Sequence, residues 1–329
     1  MSEPRLPVED DVFLPYGVWP VMLTPFNADG GVDEDSCERL VEWYLAGGCS
    51  GLFANCLSSE MYDLSLEEQM KLIRFVQRRV AGRVPVVASV APGRGELSGS
   101  ASLRQYVDTI RELVDADLAA VVVLTNQLAN ADESDDALMQ NGEALLTRLD
   151  PQLHLGLYEC PDPYKRIVNP EVLSWARKTG RFYFLKDTCC SSVQIRAKLE
   201  SLAGSHFRLY NAHTGTLLGS LRDGAYGYSG VGANYVPHLY AWLCHHFEDS
   251  PQLAEELSGF LTRLNMLIGV RYPAGIKEYL KGSGLIGTSR CRVSVKNEPD
   301  IEGLTYGGIQ SEILKWEERL ALPSPLSVI

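Results

Sequence analysis

The residues of this chain best suited to chemistry are a lysine and a tyrosine, each of which ends a short apolar run. Lys186 follows the run 181–185, and Tyr158 follows the run 153–157. A lysine at the end of a buried parallel strand places its amine at the carboxyl edge of the sheet, where α/β enzymes build their sites. A weakly hydrated amine there loses its proton more easily and can act as a nucleophile, and a nearby phenol can transfer protons.

Both residues also have an ordinary interpretation. A lysine at a strand end usually leaves the core and extends its charged group into water. A tyrosine in the same position packs its ring on the core while its hydroxyl finds a partner at the edge. Neither residue alone predicts a nucleophile, so the argument depends on the elements that position them.

Those elements are apolar, β-rich runs that alternate with helical patterns. The runs are nearly continuous in hydrophobicity, as parallel strands covered on both sides require, and their spacing leaves room for a crossover helix. The pattern predicts an α/β fold, a (β/α)8 TIM barrel. The eight candidate strands are residues 18–23, 52–54, 84–90, 119–124, 153–158, 182–186, 207–210 and 225–229.

Local signals and a change of pattern suggest where the barrel ends. Ser65, followed three residues later by Glu68, predicts a capping box, and Gly47 predicts the end of the first helix. After about residue 250 the strand pattern stops. We therefore predict a catalytic barrel over residues 14–248 and a C-terminal helical extension over residues 249–329, with helices at 253–270, 274–281 and 309–320.

Composition and charge narrow the classes of partner. With 45% hydrophobic and 22% charged residues, the chain is an ordinary globular mixture that can bury a full core. The formal charge of -12 disfavours nucleic acid and anionic membrane surfaces as partners. Residues 1–10 hold no apolar leader and no apolar run is of membrane length, so the sequence predicts a cytoplasmic protein.

The cysteines and histidines have no metal-binding pattern. The eight cysteines include no C-x-x-C pair, and the six histidines form neither H-x-H nor H-E-x-x-H, so no metal site is predicted. Four cysteines fall near strand ends, where free thiols are the ordinary expectation and a reactive thiol is the alternative. These are Cys56, Cys160, Cys189 and Cys190.

The order of features resembles the dihydrodipicolinate synthase and N-acetylneuraminate lyase family of Schiff-base aldolases, over most of the chain. The marks are Trp-Pro-Val-Met-Leu-Thr-Pro-Phe at 19–26, Leu-Ser-Ser-Glu at 57–60, and Tyr158 followed by Pro161. The segment 227–234 is similar to the one that closes the family's barrel. Lys186 lies 28 positions after Tyr158, which is the separation in the family's pattern.

The resemblance implies a role for five residues. Lys186 would attack the carbonyl of a small-molecule 2-oxo acid, and Tyr158 would move protons to and from the intermediates. Ser58 and Ser59 would bind the substrate carboxylate in a turn of converging N–H groups, and Ser229 would contact the substrate from the eighth strand. The imine serves as the electron sink, so no cofactor is implied, and the resemblance also implies a homo-oligomer, either a dimer or a tetramer.

The chain departs from the family's pattern around this site. Leu57 stands where members usually carry a hydroxyl residue, and Ser59 stands where they carry glycine. The stretch 124–128 lacks the tyrosine that the synthase contributes across a dimer interface. Pro163 replaces the synthase's substrate-binding arginine. These differences disfavour dihydrodipicolinate synthase itself and alter the proton relay.

Other polar residues near the predicted site have open roles. Lys165 or Arg166 could pair with a second carboxylate, although such residues are more often exposed. His213 could touch a substrate hydroxyl, although a histidine at a helix start is more often structural. Glu60, which matches the family's glutamate, is expected to hydrogen-bond in a buried place and not to catalyse.

Two classes of function remain. The first is a lyase that forms a Schiff base between Lys186 and pyruvate or a related 2-oxo acid to cleave or form a C–C bond. A dehydratase acting on a 2-oxo-3-deoxy sugar acid shares that chemistry. The second is a barrel that has lost its chemistry and binds a ligand, an interpretation that Leu57 and the missing relay tyrosine favour.

Overall fold

Eight parallel strands form one closed sheet in the computed structural model, which describes residues 14–94, 100–269, 271–294 and 306–327. The spatial order is β1-β8-β7-β6-β5-β4-β3-β2, and a parallel bridge between Val21 and Phe53 joins its two ends. The predicted TIM barrel is therefore confirmed. The strands are β1 Gly17–Val18, β2 Leu52–Phe53, β3 Val86–Ala88, β4 Ala120–Leu124, β5 Leu155–Tyr158, β6 Phe182–Asp187, β7 Arg208–Asn211 and β8 Gly227–Tyr228.

A helix follows each strand, and three more helices come after the barrel in the described ranges. Ser65 accepts a hydrogen bond from the Glu68 N–H at 3.2 Å and donates its own N–H to the Glu68 carboxylate at 2.9 Å, which is the predicted capping box. Gly47 ends the first helix, as predicted. The helices are α1 Glu34–Ala46, α2 Leu66–Val80, α3 Ser100–Arg111, α4 Asp135–Leu146, α5 Pro170–Lys178, α6 Ser192–Leu202, α7 Thr214–Arg222, α8 Pro237–His246, α9 Pro251–Gly269, α10 Ala274–Gly282 and α11 Tyr306–Leu320.

The alternation of side chains along the strands decides which residues face the barrel interior. In β5, Leu155 and Leu157 pack outward against the helices, so Tyr158 points inward. In β6, Leu185 packs outward, and its neighbours Phe184 and Lys186 point inward. The alternation therefore places Tyr158 and Lys186 on the interior side of adjacent strands.

Aromatic side chains fill the interior below that end of the barrel. The Phe184 ring stacks on the Tyr210 ring with centroids 4.5 Å apart, and Trp19 meets Phe184 edge-on at 5.2 Å. All three are fully buried. The site is therefore built on an apolar floor, which limits the hydration of any charged group above it.

The helices after the barrel pack back onto it. Helix α9 lies against α7 and α8, and α10 lies against α9. The His238 imidazole of α8 lies 3.0 Å from the Glu317 carboxylate of α11. No helix within the described ranges is long and apolar enough to cross a membrane. Residue 270, the end of one predicted helix, and residues 1–10, on which the leader prediction rests, lie outside the described residues.

Candidate active site

Lys186 and Tyr158 lie side by side at the carboxyl ends of β6 and β5. The two residues are paired in the strand register. The Lys186 Nζ lies 4.1 Å from the centre of the Tyr158 ring and 5.3 Å from the centre of the Phe53 ring. Only 4% of Lys186 is exposed. The amine is therefore directed into the barrel mouth among aromatic faces and does not extend into bulk water.

This buried environment shifts the pKa of both Lys186 and Tyr158. Burial lowers the pKa of Lys186, against the opposing influence of the Cys56 and Cys160 thiols. Burial also raises the pKa of Tyr158 well above its ordinary value, and the nearby Cys160 and Cys56 thiols raise it further. A larger share of the lysine is then the neutral, nucleophilic amine, and the tyrosine holds its proton until a stronger base appears beside it.

A buried ionic cluster behind the strands fixes this pair. Glu159 and Asp187 directly follow the two functional residues, so alternation turns both carboxylates outward, where Lys198 of α6 binds them. The Lys198 Nζ lies 2.6 Å from Asp187, and Glu159 also accepts the Thr188 N–H at 2.8 Å. The sequence analysis did not predict this cluster. The signal that could have revealed it is the acidic residue that directly follows Tyr158 and Lys186.

The amine and the phenol open into a cavity of about 270 Å³. The turns that follow β2, β5, β6, β7 and β8 line it, together with the segment before α10. A cavity of this size suits a small metabolite. Leu57, which replaces a hydroxyl residue of the family's pattern, presents an apolar side chain to it. Cys190 lies on its exposed side, while Cys56 and Cys160 are buried beside the amine.

The three predicted substrate-binding serines have different surroundings. Ser58 is buried and lines the cavity. Ser59 is also buried, but its hydroxyl donates to the Met22 carbonyl at 2.6 Å and accepts the Cys56 N–H at 3.1 Å, so it shapes the turn. Ser229 is fully buried beside the cavity residue Gly230, and its hydroxyl has no hydrogen-bond partner among the described residues. Substrate binding by these serines stays a prediction.

Of the two candidates for a second carboxylate, the structure brings only one to the cavity. Lys165 lines it, and its Nζ donates to the Thr188 carbonyl at 2.8 Å. Arg166 is turned away and bonds to Asp135 at 2.8 Å and to the Glu133 carbonyl at 2.7 Å. His213 also lines the cavity, and burial and the Lys165 charge lower the pKa of its imidazole.

Two further residues belong to the region. Glu60 is buried and bonds to Lys277 of α10 and to the Arg292 and Val293 N–H groups, at 2.6 Å and 2.8 Å. It has the buried hydrogen-bonding environment predicted from the sequence. Tyr272, in the turn before α10, lines the cavity and was not predicted. It lies between two helices, outside the strand ends from which the other candidates were taken.

Comparison with known proteins identifies the family of this chain. Residues 14–299 match the model of the "Dihydrodipicolinate synthetase family". The chain belongs to this family. The match confirms the resemblance found in the sequence. Members of the family are lyases and aldolases. A 4-hydroxy-tetrahydrodipicolinate synthase from Acidithiobacillus ferrooxidans is 24% identical over 229 residues, which is 70% of this chain and 74% of that protein.

Solved structures share the fold. A chloride-inhibited dihydrodipicolinate synthase from Acinetobacter baumannii, complexed with pyruvate, superposes with a TM-score of 0.73 at 21% identity and covers 95% of this chain and 99% of its own. CdNal from Clostridium difficile, in complex with mannosamine, superposes with a TM-score of 0.77 at 15% identity, over 90% and 98% of the two chains. Both structures therefore share the barrel fold with this chain at low sequence identity.

Proposed function

We propose that this family member is a lyase that forms a Schiff base between Lys186 and pyruvate or a related 2-oxo acid. The observation that carries the proposal is the buried amine, 4.1 Å from the Tyr158 ring, at the mouth of a barrel with a small cavity. The neutral amine attacks the carbonyl carbon, and water leaves as the imine forms. The protonated imine then withdraws electrons from the neighbouring carbon.

That electron withdrawal allows two related reactions. The bond from the neighbouring carbon to the next one can break to give an enamine and an aldehyde, or the enamine can attack an aldehyde in the reverse direction. Loss of a hydroxyl group from a 2-oxo-3-deoxy acid uses the same imine. Tyr158 serves as the proton donor and acceptor, since its phenol lies beside the amine on the adjacent strand.

The lining of the cavity supports a particular orientation of the substrate. Ser58 lines the cavity, and the hydroxyl of Ser229, beside the lining residue Gly230, has no hydrogen-bond partner among the described residues, so both can bind the carboxylate next to the imine. Lys165 and His213 lie in the turns after β5 and β7. A cation and an imidazole there favour a substrate whose far end carries a carboxylate or hydroxyl groups.

Trapping with borohydride tests the proposal. The protein is mixed with pyruvate and sodium borohydride, and intact mass is measured. We expect one reduced pyruvate unit on the wild type, mapped to Lys186, and none on Lys186→Ala. Lys178→Ala, which removes an exposed lysine of α5, is the matched control and should still be trapped. Absence of an adduct on the wild type contradicts the lyase and favours a barrel that only binds a ligand.

A further inference from the structure

The turn between α9 and α10 places a second phenol in the cavity. Tyr272 lines the same cavity as Lys186 and Tyr158, and its ring packs against the main core. Ser58 lines this cavity as well, and burial raises the pKa of the Tyr272 phenol, so that it keeps its proton. Two phenols and a serine therefore line the same cavity as the amine.

A buried ion pair holds this phenol in place. Lys277 lies on the first turns of α10, is fully buried, and binds the carboxylate of Glu60. The same ammonium group donates to the Arg290 carbonyl at 2.9 Å. Glu60 is two residues after Ser58 in the turn that follows β2. The pair therefore ties the segment that carries Tyr272 to the segment that carries Ser58.

The catalytic cycle of the proposed function creates a need for such a group. Tyr158 must give up and recover a proton in each turnover, but it is buried and surrounded by thiols and aromatic rings. Leu57 offers no hydroxyl there. A phenol exchanges protons well with another phenol, because the two groups have similar basicity.

We propose that Tyr272 is a proton-relay residue that works between Tyr158 and Ser58 during the interconversion of imine and enamine. The proposal rests on the proposed function. When Tyr158 gives its proton to the enamine carbon, the Tyr272 hydroxyl passes its own proton to the Tyr158 oxygen and receives one from Ser58. One C–H bond forms at the enamine carbon as the Tyr158 O–H bond breaks. Each later transfer breaks one O–H bond and forms another, and Ser58 recovers its proton from water at the cavity mouth.

Exchange of the methyl protons of pyruvate tests the relay without knowledge of the aldehyde partner. In D2O, each passage from imine to enamine and back replaces a proton with deuterium, which NMR follows directly. For Tyr272→Phe we expect exchange to slow by about 10²-fold, in the range of a lost acid–base group. Borohydride trapping of the imine should persist. The matched control is Tyr235→Phe, which removes a phenol that bonds to Asn265 of α9 at 2.9 Å, outside the cavity.

Two further variants separate a relay from a structural role. Leu57→Thr in the Tyr272→Phe background returns a hydroxyl to the cavity and should restore part of the exchange rate. Tyr272→3-fluorotyrosine keeps the ring and the hydroxyl, so it should fold normally, and its more acidic phenol should shift the pH profile of exchange to lower pH.

The outcomes distinguish this inference from the function on which it rests. The relay is overturned if Tyr272→Phe exchanges protons at the wild-type rate, or if the pH profile of the fluorotyrosine variant is not shifted. In both cases imine trapping still supports the lyase. If the wild type itself forms no adduct, it is the proposed function that fails. Slow exchange in Tyr235→Phe as well would show that loosening the extension is sufficient, which also overturns the relay.

Discussion

At the scale of single residues, the reactivity proposed for Lys186 and a cost in folding stability have the same cause. The side chain is 4% exposed and lies over aromatic rings, so its charged form is poorly hydrated. That environment lowers the pKa of the amine. The cost of burying the ammonium form in the folded protein also lowers the free energy of unfolding. It does so at every pH where the unfolded chain keeps this lysine protonated.

We therefore predict that Lys186→Met is more stable than the wild type near neutral pH. In the unfolded chain the lysine titrates at about 10.4, and in the folded chain it titrates below that value. The stability gained by the variant should be largest below the folded pKa and should shrink as pH rises toward the unfolded value, where both states are neutral. Urea unfolding at several pH values measures this difference. Lys178→Met is the control, and equal stability of Lys186→Met and wild type at neutral pH would contradict the desolvation argument.

A second residue-scale prediction concerns the far end of the substrate. Lys165 lines the cavity, and its amine donates only to a carbonyl among the described residues. For Lys165→Met we expect KM for 2-oxo acids with a distal carboxylate to rise about tenfold or more, since a hydrogen bond to a charged group contributes roughly 1.5–3 kcal/mol. Trapping of pyruvate, which lacks the distal group, should be unchanged. An equal effect on both substrates would argue against a role in recognising the distal carboxylate.

The sequence identifies some of these residues and not others, for physical reasons. Lys186 and Tyr158 end apolar runs, and their spacing is specific enough to find both. The sequence alone does not distinguish the role of Ser58 from that of Ser59. In the structure only Ser58 lines the cavity, because the Ser59 hydroxyl bonds to backbone groups. Tyr272 has no local signal, because its position depends on how an entire helical extension packs.

At the scale of elements, eight strands were predictable and their lengths were not. Continuous apolar runs mark the strands, but a run does not show how far the hydrogen-bonded ladder extends. Strand β1 was predicted over residues 18–23 and forms a ladder only over Gly17–Val18. Pro20 follows closely and has no N–H to donate, which limits regular pairing there. The bridge at Val21 nevertheless closes the barrel.

The buried ionic cluster of Glu159, Asp187 and Lys198 behind β5 and β6 gives a prediction at the scale of elements. Burial would lower the pKa of Lys198, but Glu159 and Asp187 outweigh it and raise the pKa. For Lys198→Met we expect a loss of about 3–5 kcal/mol in the free energy of unfolding, since two buried carboxylates lose their cation. Urea unfolding measures it.

Arg196→Met on the same helix provides the comparison for Lys198→Met. Its guanidinium lies 3.1 Å from Asp223 with 59% of the side chain exposed, and exposed pairs contribute at most about 1 kcal/mol. A similar small loss in both variants would show that the buried cluster does not hold the strand ends. The Lys198 contribution should also be fully present below the unfolded lysine pKa and be lost as pH rises through the higher folded value.

At the scale of the whole molecule, the extension and the barrel are joined beside the cavity of the candidate site and not only at the periphery. Lys277 of α10 and Glu60 of the turn after β2 form a fully buried pair far apart in sequence. The turn between α9 and α10 therefore completes the cavity wall through Tyr272. Composition and hydropathy predicted helices here, but they could not reveal that a barrel loop would supply the counter-charge for one of them.

This connection predicts that stability and proton exchange fall together in Lys277→Met. Removing the ammonium leaves the Glu60 carboxylate buried without its cation, which should lower the free energy of unfolding by about 3–5 kcal/mol. The same change releases the turn that carries Tyr272, so exchange of the pyruvate methyl protons should slow even in the fraction that stays folded. Lys281→Met, an exposed position on the same helix, should change neither quantity. Slower exchange without any loss of stability, or the reverse, would mean that the buried pair and the cavity tyrosine are independent of each other.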